Sequence, residues 1–198
     1  YSFAGSGVDV RLPFMTPALP DDMAILARPI TYLTWDVKAT DGAKHDVKLY
    51  FDTSALPAVD QPTQTVKWDV LKQRGLLALK VSGSEQRVLG KTGDDRRIDW
   101  GSLYTATPYG SIDASLFATD AAETFAATGS YRTTPEPDQP APADKAPVAA
   151  TIFNLGQVGA TDVSRFLVLA YDDEYSIQYF GQNLRPYWRR KGMDASKL

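Results

Sequence analysis

The chain has no cysteine and one histidine among its 198 residues. The first absence removes disulfides, thiol nucleophiles, haem-attachment motifs and every zinc or iron–sulfur site that needs thiolate. The second removes any site that needs two imidazoles. It leaves His45 as the one residue on which a Ser-His-Asp triad would have to be built. An excess of one charge is also lacking. Against 24 Asp and Glu stand 21 Lys and Arg, a net charge of −3. Nothing in that balance marks a surface for nucleic acid or an anionic membrane. No apolar run reaches the ~18 residues that a spanning helix needs. Phosphate, hydrolase and metalloprotease signatures are missing: there is no P-loop, GxGxxG, GxSxG, HExxH or SxxK. The chain starts at Tyr1 with no Met and no signal peptide, which reads as a processed protein or an excised piece. The length suits one large domain or two small ones, and is enough for a core without staples.

What is present is alternation with period two. In Ile30–Ala39, Leu33, Trp35, Val37 and Ala39 are apolar, while Thr34, Asp36 and Lys38 are polar. After Asp41-Gly42, the residues His45, Val47, Leu49 and Phe51 alternate with Asp46, Lys48, Tyr50 and Asp52. The pattern predicts a β-hairpin with one buried face and a five-residue loop. Further strands are expected at Thr65–Leu71, Leu76–Val81, Arg87–Leu89 and Ile98–Thr105, the last with Ile98, Trp100 and Tyr104 on one face. Ile112–Phe117 fits less fully. Val148–Leu155 and Arg165–Tyr171 are apolar on both faces, as central strands are. Helical signal is sparse. Asp120 and Glu123 resemble a capping box ahead of Ala121–Ala127, with Gly129 beyond. The segment Tyr175–Lys191 carries Tyr175/Tyr179, Phe180/Leu184 and Leu184/Trp188 at helical spacing, interrupted by Gly181 and Pro186. Residues 133–147 are rich in proline and poor in apolar side chains, and read as a long surface loop that cannot pair in a sheet. The expected fold is mainly all-β: an antiparallel β-sandwich over 1–174 with one or two short helices. Residues 175–198 read as a helical linker that starts a following domain.

The densest charge cluster is Gly93-Asp94-Asp95-Arg96-Arg97-Ile98-Asp99-Trp100-Gly101. Asp94, Asp95 and Asp99 carry the oxygen ligands that Ca²⁺ prefers. Their spacing is not that of an EF-hand, and arginines stand among them. A loop positioned by its own Asp–Arg pairs is the favoured reading, with no metal and no cofactor assigned. The run Tyr171-Asp172-Asp173-Glu174-Tyr175 follows a buried strand. Glycoside hydrolysis needs two carboxyls facing one cleft, ~5–9.5 Å apart. Adjacent acids on a strand point to opposite faces, so Asp172 and Asp173 are no ready pair. Asp173 with Glu174, or Asp95 with Asp99, would be the pairs of a stand-alone hydrolase. His45 reads as a hairpin residue rather than a base. Trp35, Trp68 and Trp100 fall on apolar phases and read as core, whereas Trp188, beside Tyr187 and Pro186, reads as an exposed or partner-facing anchor. Arg185 to Lys191 is too short and isolated for nucleic acid, and aromatic-plus-Arg composition suits docking onto a protein.

Three stretches resemble a known family. They are Val10-Arg11-Leu12-Pro13-Phe14 continuing at Leu26-Ala27-Arg28-Pro29-Ile30-Thr31-Tyr32-Leu33-Thr34; Gly93 to Gly101; and Ser164 to Gly181 running on to Leu184-Arg185-Pro186-Tyr187-Trp188. Asp46 to Asp52 fits the same pattern. Together they resemble the N-terminal, non-toroid domain of the glutaminase A family of secreted proteins. The resemblance implies a β-sandwich ahead of a six-hairpin helical toroid, in a protein that hydrolyses L-glutamine to L-glutamate and ammonia. It implies a secreted, periplasmic or cell-surface location. The family's catalytic residues would lie in the toroid, so no catalytic residue is assigned in this chain. The expected partner is that toroid, and Asp94, Asp95, Arg96, Asp99, Asp172, Asp173, Arg185, Tyr187 and Trp188 are the expected contact or functional-loop residues. The rival reading is a carbohydrate-binding or glycoside-hydrolase-associated sandwich that presents a small-molecule or glycan site.

Overall fold

The computed structural model of the chain describes residues 1–73, 75–94, 96–108, 112, 114–131 and 138–198. The strands in chain order are β1 (Ser2–Gly5), β2 (Val8–Arg11), β3 (Phe14–Met15), β4 (Ile30–Ala39), β5 (His45–Thr53), β6 (Thr65–Gln73), β7 (Leu76–Gly83), β8 (Ser102–Pro108), β9 (Ala114–Ala118), β10 (Ala141–Pro142), β11 (Val148–Val158), β12 (Val163–Asp172), β13 (Ile177–Tyr179) and β14 (Gln182–Leu184). Helix α1 is Met23–Leu26 and α2 is Ala121–Thr128. Short 3₁₀ turns occupy Leu56–Ala58, Tyr187–Arg189 and Ala195–Lys197.

The strands form an antiparallel sandwich, as the alternation predicts. The large sheet runs β1-β2-β4-β12-β8-β7-β6-β10, with β3 also on β4, and the small sheet runs β5-β11-β9. The doubly apolar segments are central, β12 between β4 and β8 and β11 between β5 and β9. Two clusters fill the space between the sheets. One joins Leu33, Trp35, Val37 and Leu167 of the large sheet to Phe153, Leu155 and Val158 of the small one. The other joins Val66, Trp68, Leu79, Val81 and Leu103 to Phe117 and Ala149. Helix α2 covers the other side of the small sheet, where Phe125 stacks on Tyr50 with centroids 5.2 Å apart.

The expected β4–β5 hairpin does not form. β4 pairs with β2, β3 and β12, and β5 pairs with β11 in the opposite sheet. The two strands turn their apolar faces toward each other across the core, where Trp35 meets Phe51 with centroids 5.7 Å apart. Alternation is the same for a pair within one sheet and for an arch between two sheets. The corner is fixed by side chains and neighbours: Asp41 accepts from the Ala43 amide at 2.9 Å and meets His45 Nε2 at 3.0 Å. The Thr40 amide donates to Gly7 O at 2.8 Å.

Four other expectations are corrected. Arg87–Leu89 is a turn, with Leu89 at φ 52°. β8 starts at Ser102, so Ile98 and Trp100 precede it. Gly101 at φ 85° resets the phase, and Leu103, Thr105 and Thr107 point inward instead of Tyr104. Helix α2 forms without the capping box: the Asp120 carboxylate accepts from Thr124 Oγ1 rather than capping an amide. The proline-rich loop falls partly outside the described residues, at 133–137. Beyond them, Ala141 and Pro142 add an edge to the large sheet against Val66 and Thr65, and Ala143 is buried. Proline is compatible with an edge because only one side of the strand is paired.

The segment Tyr175–Lys191 is not helical. β13 and β14 form a tight hairpin, with Phe180 at φ 46° and Gly181 at φ 75° as its two turn residues. That is the type I′ geometry whose twist suits a two-residue hairpin. The spacings that mimicked a helix are cross-strand and turn positions.

Candidate functional site

The strongest polar constellation stands where β12 ends. Asp172, its last residue, lies beside Ser102 of β8. Arg189, delivered by the Tyr187–Arg189 turn, makes a two-pronged pair with it. Nε donates to Oδ1 at 2.8 Å and Nη2 donates to Oδ2. Asp172 is 3% exposed and Arg189 7%. The Glu174 amide donates to the same Oδ1 at 3.1 Å. The carboxylate hydrogen bond raises the Arg189 guanidinium above its ordinary value, against the opposing effect of burial. Trp188 is fully buried in the same turn, which packs on α1. Arg189 lies over its ring, 5.1 Å from the centroid.

The segment leading into β8 closes this corner. Trp100 Nε1 donates to Tyr175 O at 3.0 Å, and the Tyr171 hydroxyl donates to Trp100 O at 2.7 Å. Burial pushes that hydroxyl well above its usual range, helped by the charges of Asp173 and Asp99. A Cβ on Gly101 would run into the backbone oxygen of Asp172, so only glycine lets the two strands approach here. Asp173 accepts from Ser176 Oγ at 2.7 Å, while Glu174 is exposed at φ 58°.

A second constellation lies one residue upstream of Trp100. Lys91 Nζ bridges two buried carboxylates, Asp60 Oδ2 at 2.8 Å and Asp99 Oδ2 at 2.9 Å. Gln64 Nε2 donates to Asp99 Oδ2 at 3.3 Å, and its Oε1 accepts from the Asp60 and Gln61 amides. The Arg97 amide donates to Asp60 Oδ1 at 3.0 Å. The Lys91 contact, then the Arg97 amide, holds the Asp60 carboxyl down at about 2. The first constellation sets one cation against one carboxylate. The second sets Lys91, with Arg96 at 3.9 Å, against two carboxylates, and Asp99 also lines a cavity of about 210 Å³ with Gln64, Glu85 and Arg87.

The expected site residues thus divide. Asp99, Asp172 and Trp188 are buried, and the expectation of an exposed Trp188 is overturned. Its turn folds back onto α1, which hides the indole. Asp94 is exposed. Arg96 is exposed and stands 3.9 Å from Asp60. Asp95 lies outside the described residues, and with it the Asp95–Asp99 pair. Arg185 is exposed, donates to the Tyr175 hydroxyl at 3.3 Å and lies 4.9 Å over that ring. Tyr187 is 46% exposed, with Arg190 3.9 Å from its centroid. Among the described residues, no three His, Asp or Glu side chains gather in a metal-holding group. Arg189, Asp60, Lys91 and Gln64 are the buried contacts of these acids that sequence reading missed. Arg189 had a signal, since it belongs to the basic tail, but its acid partner was in the same chain. The Asp60–Lys91 contact, 31 residues apart, had none.

The third feature is a cavity of about 220 Å³ on the outer face of the large sheet. Its wall and floor include Tyr32, Leu71, Leu76, Ala78, Tyr104, Ala106 and Val168, and Ala195, Ser196 and Leu198 reach its rim. None of Asp99, Asp173 or Glu174 lines it.

The chain is 29% identical over 182 residues to Glutaminase A of Aspergillus oryzae, a match that covers 90% of this chain and 26% of that protein. The matched part is that protein's N-terminal portion. A family model described as "Domain of unknown function (DUF5127)" matches residues 1–198. The resemblance carried by the Val10, Gly93 and Ser164 stretches therefore extends over most of the chain, and the chain belongs to the DUF5127 family.

Proposed function

We propose that the chain is a non-catalytic accessory domain of a secreted or periplasmic glutaminase-like hydrolase. In this reading the hydrolysis of L-glutamine to L-glutamate and ammonia belongs to the rest of a longer polypeptide, built as a six-hairpin helical domain. The sandwich over 1–174 packs against that domain, and residues 175–198 hand the chain over. The observation that carries the reading is the buried Asp172–Arg189 pair. It commits the most acidic strand end of the chain to anchoring the C-terminal segment. An anchored exit segment suits a rigid neighbour better than a free module on a linker. The glycan reading has less behind it. Trp35, Trp68 and Trp188 are buried, and the indole N–H of half-buried Trp100 is bonded to Tyr175 O.

The test is ammonia release from glutamine by the longer polypeptide and by this chain alone, each purified. Activity in the first and none in the second is the expected result. Ammonia release by the chain alone, abolished by a single substitution within it such as Asp173→Asn, overturns the proposal.

A further inference from the structure

The two sheets are not equally covered. The small one has the core on one face and α2 on the other, with Ala118, Ala121 and Ala150 packed between. The large sheet has the core on one face; on the other, among the described residues, the Tyr187–Arg189 turn covers Asp172 and the C-terminal residues reach the edge of a concavity. Its register places a single row across six strands on the outer face: Met15, Tyr32, Val168, Ala106, Ala78 and Leu71. That row carries no charge. A row nearer the strand ends, Asp172, Ser102, Ser82 and Lys67, is polar throughout. An antiparallel sheet with one wet face alternates apolar and polar residues, so an uncharged row in the middle of the outer face calls for a cover. In that row Met15 is 56% exposed and Leu71 39%, while Tyr32, Val168, Ala106 and Ala78 are half-buried; in the next row of the same face Leu76 is 42% exposed and Phe166 39%.

The face is also shaped. Ala78, Ala106 and Ala170 form a low floor between the larger Tyr32, Tyr104 and Leu76, which accounts for the concavity of about 220 Å³. The C-terminal residues lie on its rim. Leu198 O accepts from Arg28 Nη1 at 2.7 Å, so a polypeptide that continues past Leu198 starts beside the groove. Length supplies the occupant, since this chain matches only 26% of Glutaminase A.

We infer that this groove is the seat of the following domain, and that a bulky apolar side chain from beyond Leu198 fills the alanine-floored concavity. The inference rests on the accessory-domain reading and names the surface it uses. The test places the photo-crosslinking residue p-benzoylphenylalanine at Leu76 of the longer polypeptide, with Glu123 on α2 as the control position. Mass spectrometry then identifies the linked peptide. A link from Leu76 to a residue beyond Leu198 of the same molecule, with none from Glu123, is the expected result. A link to residues 1–198 of a second copy, a link to a co-purified small molecule, or no link at Leu76 overturns it. If the chain alone is inactive and the Leu76 link is lacking, the groove fails while the accessory reading stands. If the chain alone hydrolyses glutamine, the accessory reading fails whatever the links show.

Discussion

Replacing Arg189 by Met tests whether the charged corner holds the C-terminal segment down. The substitution keeps most of the aliphatic stem and removes the guanidinium. Asp172, 3% exposed, would then keep one backbone donor, the Glu174 amide at 3.1 Å. Leaving one member of a buried pair uncompensated costs about 3–5 kcal/mol. In a domain of this size, each kcal/mol lowers Tm by roughly 2–4 °C, so the drop should be roughly 6–20 °C. Urea unfolding followed by tryptophan fluorescence reads the change directly, because Trp188 adjoins the lost contact. Two controls separate burial from simple charge loss. Asp172→Leu together with Arg189→Met should recover most of the loss, since a matched apolar pair needs no compensation. Raising the salt concentration should leave the cost nearly unchanged, because buried pairs are poorly screened. A cost below about 1 kcal/mol, the range of a surface pair, would refute the reasoning. So would a double variant no more stable than Arg189→Met.

Two further outcomes follow from the neighbouring residues. Gly101→Ala places a Cβ at φ 85° against the Asp172 backbone oxygen. It should lower stability by more than about 2 kcal/mol in urea unfolding, and a loss under half of that would show that β8 and β12 part easily. Asp60 has its carboxyl held from an ordinary 3.8 down to about 2, chiefly by Lys91. A folded pKa below the unfolded one gives stability that is complete above pH 3.8 and lost as pH falls through about 2. Tm measured from pH 5 to pH 2 should therefore fall more steeply in the wild type than in Asp60→Asn. Parallel curves would show that the Lys91 bridge does not act on folding.

Much of the sandwich was legible because strand alternation is local. The phase of Leu33, Trp35 and Val37, and the double apolarity of Val148–Leu155 and Arg165–Tyr171, follow from which faces are buried, and the burial follows those phases. Pairing was less legible. β4 and β5 look alike whether they join in one sheet or face each other from two, and the partner of β5 is β11, about a hundred residues on. The Tyr175–Lys191 segment misled for a related reason. Aromatics at helical spacing also occur in a short hairpin, and the decisive residues were the two of the turn, Phe180 and Gly181. The candidate acids were found by type but not by role, since role depends on which cation the fold brings near.

By itself, then, the sequence determined the class of chemistry and of fold. One His and no Cys exclude thiol and multi-imidazole sites outright, and periodicity of two commits the chain to sheets. Those are properties of composition and of near neighbours, so no partner has to be known. Only the tertiary structure decided that Asp172 answers Arg189, that Lys91 bridges Asp60 and Asp99, and that Trp188 is hidden. Only register decided that Met15, Tyr32, Val168, Ala106, Ala78 and Leu71 make one uncharged row. Each of these is a contact between distant parts of the chain. Its existence depends on the path of the backbone between them, which local pattern does not carry.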